Sequence, residues 1–417
     1  MTANPNSKRG TALDRADTRV RHDASLGGAL RAFGDRIRSG DLGSLPVVVG
    51  LAVIWTVFQS LNPVFLSSNN LVNLLFDCST TGVIALGIVC ILMVGEIDLS
   101  VGSVSGFASA IVGVLWVNND WPVAGAILVA LGAGALMGTV YALLFNRLGM
   151  PSFVSTLAGL LAVLGFQLYL LGASGSINLP YGSWVVDLGQ SLVMPHGVAY
   201  GIAAIAAALY FYAGFSRNAQ RRAAGLTPGS TVGVAARAVI LFVMLEVVVF
   251  YLNTDRGVPW MFGLFAGLVV LLDYALRRTQ WGRQMTAVGG NREAARRAGI
   301  NVRGTYLGAF VLCSSFAALG GVLSAARLAS ASQQAGTGDV NLNAIAAAVI
   351  GGTSLFGGRG NAYSALLGII VIQSIASGLT LLDLSSSLRY MITGAVLAIA
   401  VIVDSLARRS RVSHGRA

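Results

Sequence analysis

The sequence predicts an all-α polytopic membrane protein of ten to twelve transmembrane helices, some broken at Gly-rich segments, with a possible internal repeat of two halves. Three observations predict it. Of 417 residues, 55% are hydrophobic and only 11% charged, less than half of the roughly 25% charge usual in a soluble domain, so much of the outer surface must face lipid. The apolar residues fall into runs of about 20, the length that crosses a hydrocarbon core of about 30 Å at 1.5 Å per residue. Of the 28 Lys and Arg, 23 lie in four stretches, 1–44, 216–237, 277–303 and 404–417, the pattern of short basic loops held on the cytoplasmic side.

Residues 1–44 are polar, carry both signs of charge and hold no early apolar run, which predicts a disordered cytoplasmic arm and no cleavable signal peptide. From Leu45 onward the predicted spans are 45–61, 79–95, 123–145, 151–171, 196–215, 235–252, 258–276, 305–329, 361–381 and 388–404. Segments 99–117 and 344–357 are apolar but rich in Gly and Ser, and read as full spans or as broken helices. Counting both gives twelve crossings and places the basic stretches, Arg359 and both termini in the cytoplasm, with 408–417 as a basic tail; ten crossings is the fallback. Glycine occurs 52 times, and spacings such as Gly132, Gly134 and Gly138, or Gly320 and Gly321, let helix backbones approach closely in lipid. A weak echo joins Ile84–Gly113 to the stretch from Ile345, with Leu99 and Gly102 aligned to Leu355 and Gly358. Interrupted segments at matching places in two halves point to a translocation path, and chance similarity of two Gly-rich segments explains the echo equally well.

Carboxylates at membrane depth are costly, which singles out Glu96 and Asp98 in GEIDLSVGS (95–103). Either they and Ser100 cap a new helix after a break at Gly95, or they turn toward a pore. Asp77 and Asp273 fall near predicted span ends, where interfacial solvation explains them. Glu246 falls mid-span and needs a polar partner or a proton, which leaves an ion-coupled carrier open. Catalytic machinery is missing. Lysine occurs once, as Lys8, so no phosphate-binding G-x-x-x-x-G-K-[ST] loop exists. His22, His196 and His414 lie in tails or at a span edge, and Cys78, Cys90 and Cys313 have packing positions without metal or disulfide spacing. No cofactor is expected in this chain, and the basic charge, with no interleaved aromatic platform, does not read as nucleic-acid binding. Between Gly290 and Gly299 the loop 277–306 reads as a short helix, capped by Asn291, with Glu293 in its first turn, Arg296 and Arg297 near its end and Gly299 as its stop. A partner-docking helix and a plain solvated loop helix fit that pattern equally.

Glu293-Ala294-Ala295, then three residues and Gly299, resembles the coupling motif of ABC-importer permeases. Together with GEIDLSVGS, MPSFVSTLAG (150–159), GGNREAARRAGINV and IGGTSLFGGRGN, the chain from about 45 to 407 resembles the ribose/xylose/arabinose branch of bacterial ABC sugar permeases. The extra pair of spans around RNAQRRAAGL (217–226) and the stretch LNTDRGVP (252–259) resemble the xylose type. The resemblance implies a permease without enzymatic activity of its own. It implies a homodimer in the inner membrane, fed by a periplasmic sugar-binding protein and driven by a cytoplasmic ATP-binding subunit, which uses the ATP. By that resemblance Glu293, Ala294, Ala295 and Gly299 match the coupling motif, and Glu96, Asp98, Leu99, Ser100 and Gly102 the first broken segment. Gln167 is a further candidate for the sugar path, although an amide in a span also serves as glue between helices. A branched-chain amino-acid permease is the related alternative. Its zwitterionic substrate favours charged groups in the path, and the predicted spans are nearly free of basic residues.

Overall fold

A computed structural model describes residues 45–226 and 229–395, with 398 and 402. The chain divides into two units, one containing Met194–Gly257 and the other Gly43–Val193 with Val258–Ala417. The larger unit opens with α1 (Leu45–Leu61), α2 (Ser68–Met93), α3 (Val101–Gly113, prolonged by a π-turn to Asn118), α4 (Val123–Leu148), α5 (Ser152–Leu171), β1 (Ser176–Asn178) and α6 (Trp184–Gln190). The smaller unit holds α7 (His196–Ala223) and α8 (Thr231–Leu252). The larger unit resumes with α9 (Trp260–Arg278), α10 (Gln280–Gly290), α11 (Arg292–Arg297), α12 (Val302–Leu328), β2 (Ser330–Ser332), α13 (Val340–Ile350), α14 (Ala362–Leu381) and a helical stretch from residue 386. The predicted arm 1–44 and tail 408–417, and most of the predicted span 388–404, lie outside the described residues.

Local chemistry sets many of the boundaries. Ser67 caps α2 by accepting from the Asn70 N–H, Asn301 caps α12 by accepting from Gly304, and Asn361 caps α14 by accepting from Ser364. Gly149 ends α4 at φ +67°, a left-handed turn that costs glycine little. Among the described residues nine helices are long and apolar enough to cross a membrane. The segment predicted at 99–117 is one of them. The segment predicted at 344–357 is not: α13 has 11 residues, about 16 Å, half of a bilayer core, and 351–361 is an irregular break. The span predicted at 79–95 starts eleven residues earlier, at Ser68, so Asp77 lies inside α2 and not at its end.

At the centre of the larger unit α12 packs on α2, α3, α4 and α6. Glycines allow the approach: a Cβ at Gly138 would strike the Phe310 carbonyl, and one at Gly321 the Ser105 carbonyl. Gly134 meets Ala318, whereas Gly132 has open space around it. The buried α2 and α12 contrast with α4, where Leu128, Leu136, Val140 and Leu143 stand exposed, a surface that only lipid or another chain satisfies. At one end of the unit β1 pairs antiparallel with β2, Ile177 opposite Ala331, over a small core of Ala110, Leu171 and Ile177; this is called the sheet end below. In the smaller unit α7 and α8 form a hairpin whose turn is closed by Asn218 and Gly229, each donating to the other at 3.1 Å. Glu246 is half-exposed on α8, not buried as its mid-span position suggests.

Candidate coupling site and translocation segments

The loop helix forms as its local sequence dictates. Asn291 Oδ1 accepts from the Ala294 N–H at 2.9 Å, Glu293 pairs with Arg296 at 2.9 Å on the exposed side, and Gly299 turns the chain at φ +82° while its N–H reaches the Arg296 carbonyl. Glu293 and Ala294 are exposed and Ala295 is buried. The helix thus shows Glu293 and Ala294 to the outside and plants Ala295 in the protein.

The root of that helix touches both Gly-rich breaks. A Cβ at Gly289, at the end of α10, would run into the Met93 carbonyl, and the same carbonyl accepts from the Gly358 N–H at 2.9 Å. Gly357, at φ +83°, lies against Gly95 and the Gly289 carbonyl. Three segments far apart in sequence therefore meet backbone to backbone: the end of α2, the 351–361 break and the end of α10 that leads into α11. Arg292, the first residue of α11, lies 5.7 Å from the Phe145 ring centroid and 5.4 Å from that of Tyr306, joining α11 to α4 and α12 through cation–π contact. Glu96 feels the Arg292 charge. Burial pushes its carboxyl above the ordinary value, and the Ser152 hydroxyl and Arg292 pull it back.

The first break is held by α5. Ile97 N–H donates to Ser152 Oγ at 3.5 Å and Leu99 N–H to Thr156 Oγ1 at 3.2 Å, so two turns of MPSFVSTLAG supply acceptors that the irregular loop cannot supply itself. Asp98 is fully buried and its Oδ1 accepts from both the N–H and the hydroxyl of Ser100 at 2.8 and 2.7 Å. This is a local turn ahead of α3, whose N-cap residue Ser100 makes no side-chain cap bond to the helix. Gly102 N–H donates to Asn341 Oδ1, which brings together the N-termini of α3 and α13, the two helices that follow the interruptions at 94–100 and 329–339. Gln167 is also fully buried. Its amide donates to the Ser332 and Ala335 carbonyls at 2.9 and 3.0 Å, so it holds the return segment after β2 and faces no open path.

Sequence reasoning missed Ser152, Thr156, Arg292 and Asn341. The i, i+4, i+7 spacing of Ser152, Thr156 and Gly159 marks one helix face and could have shown that this motif supports something. The Arg292 and Asn341 contacts leave no local signal.

An α-helical membrane protein with an exposed loop helix rooted on its own chain breaks has the build of a transport permease subunit. The family described as branched-chain amino acid transport system permease component matches residues 70–401, and the chain belongs to that family. Its relatives include the xylose transport system permease protein of Escherichia coli strain K12, 34% identical, with 87% of this chain and 90% of that protein aligned. The xylose transport system permease protein of Haemophilus influenzae is 31% identical over 89% of this chain and 98% of its own length, and the ribose import permease protein of Escherichia coli strain K12 is 29% identical over 86% and 92%. No solved structure matches the chain.

Proposed function

We propose that this chain is the membrane-spanning subunit of an ATP-driven importer for a monosaccharide, D-xylose, in a bacterial inner membrane with both termini cytoplasmic. The observation that carries the reading is the loop helix itself, exposed at Glu293 and Ala294 and rooted at Gly289 on both breaks. A cytoplasmic ATP-binding subunit docks on Glu293 and Ala294, with Ala295 anchoring the helix in its own chain and Gly299 setting the angle of the helix, and binds the ATP that this chain does not. Rigid contact then carries its movement to the segments around Glu96, Asp98, Ser100 and Gly102. A periplasmic sugar-binding protein delivers substrate at the sheet end, and two copies of the chain enclose the path. Residues 45–407 form the translocating body, with 277–303 as its coupling loop and Gln167 as a positioning residue. The likeness to xylose permeases supports the sugar, and ribose is the nearest competitor.

The test is uptake of radiolabelled D-xylose, ribose, arabinose and leucine into proteoliposomes that hold the chain with its ATP-binding and sugar-binding partners. Xylose uptake that needs all three proteins and ATP, and that Glu293→Arg abolishes, is the expected result. Uptake by this chain alone under an ion gradient, or of leucine in preference to every sugar, overturns the reading.

A further inference from the structure

Near the middle of α2 the chain carries a charge pair that the coupling geometry leaves unused. Arg327, at the end of α12, donates from Nε to Asp77 Oδ1 at 2.9 Å, and its Nη2 reaches Asn73 Oδ1 at 3.4 Å. Its guanidinium stands 5.0 Å from the Phe76 ring centroid. The α2 helix has 26 residues with its centre between Thr80 and Thr81, so Asp77 is about 5 Å from mid-helix at 1.5 Å per residue. Arg327 reaches Asp77 from the last turn of α12, three residues before β2, and an ion pair between spanning helices faces a bundle interior, a watery cavity or the water interface, because lipid cannot solvate it. Here the pair is not enclosed by its own chain: 47% of the Asp77 side chain and 21% of Arg327 are exposed.

The surroundings extend the same face. Asn70, Asn73 and Asp77 stand at i, i+3 and i+7 on α2, and Gln373 and Ser377 at i and i+4 on α14. The two helices are joined by Gln373 Nε2 donating to the Asp77 carbonyl at 3.3 Å and Ser377 Oγ donating to Asn70 at 3.1 Å. Asn73, Gln373 and Ser377 are all partly exposed. A stripe of amides, a carboxylate and a guanidinium, neutral in sum, matches a ring of hydroxyls. Each sugar hydroxyl donates and accepts, the planar groups bond neighbouring hydroxyls in pairs, and the ion pair keeps the wall satisfied when no sugar is present.

Resting on the proposed sugar import, we infer that Asn73, Asp77, Arg327 and Gln373 form the wall of the translocation path that contacts the monosaccharide. The partial exposure of each contact leaves binding weak enough for release.

Substituted cysteines in the assembled transporter test this, since native Cys78, Cys90 and Cys313 are fully buried. Asn73→Cys and Gln373→Cys are expected to react with a charged, membrane-impermeant thiol reagent, with xylose slowing the reaction. Leu136→Cys, on the lipid-exposed centre of α4, is expected to stay silent. Asn73→Ala and Gln373→Ala should each lower xylose uptake about tenfold, the loss expected for one hydrogen-bonded contact, and should change the xylose-to-ribose ratio while ATP hydrolysis persists. Silence at 73 and 373, or reaction without protection by sugar, overturns the assignment and makes the stripe a contact between helices or subunits. Protection by leucine and not by sugar leaves the path in place and overturns the proposed substrate.

Discussion

Gly289 and Gly290 are adjacent in sequence and opposite in tolerance. A Cβ at 289 collides with the Met93 carbonyl, a backbone atom fixed by its own helix, while nothing lies within 4 Å of a Cβ at 290. Relief at 289 requires parting α10 from the end of α2, and the Gly358 N–H that shares the Met93 carbonyl moves with it. Gly289→Ala is therefore expected to cost about 1–3 kcal/mol, the range for overpacking a well-filled site, and to uncouple ATP hydrolysis from transport. Gly290→Ala should do neither. Thermal unfolding of both variants in detergent checks the point, and equal midpoints would show that the 289 contact is not structural.

At the scale of elements, what the sequence reveals follows the range of the interactions. The cap, charge pair and glycine stop of α11 join residues three to five apart, so reading them needs only the local sequence. The start of α2 was hidden for a physical reason. Asn69, Asn70, Asn73 and Asp77 make its first turns too polar for a lipid-facing helix, yet Asn70 finds Ser377, and Asn73 and Asp77 find Arg327, on other helices. The meeting of the two Gly-rich breaks with α10 depends on contacts between residues 69 to 265 positions apart (289 with 358, and 93 with 358), and similarity between the breaks is no measure of their distance. The role of α5 was equally hidden, since Ser152 and Thr156 act on donors of another segment. Replacing them together, Ser152→Ala with Thr156→Val, leaves the Ile97 and Leu99 N–H groups without acceptors. Each buried unpaired donor costs about 1–3 kcal/mol. Faster amide exchange at 97–99, with α11 unchanged, is the expected result; unchanged exchange would mean that the break holds itself.

Across the whole chain, topology can be checked by parity before any sidedness is assigned. The hydrogen-bonded strands β1 and β2 must lie on one side of the membrane, so an even number of crossings must separate them. Between Asn178 and Ser330 lie α7, α8, α9 and α12, four helices able to span, and the count closes. The same alternation puts the turn after α7 and the loop 279–301 on the side opposite the sheet. Those segments carry the basic stretches 216–237 and 277–303, so the proposed importer, by charge retention, predicts their side to be cytoplasmic and the sheet end periplasmic. Alkaline phosphatase, which needs disulfides and folds only in an oxidising compartment, should accordingly be active when fused after residue 178 and inactive after 222, 278 or 417. Activity at 222 and 278 with silence at 178 would invert the protein, place α11 beyond reach of a cytoplasmic ATP-binding subunit and remove the basis for ATP-driven import. Activity at 178 and 222 but not at 278 would instead mean that neither α7 nor α8 crosses, leaving α9 and α12 as two crossings between the strands and the side of α11 unchanged.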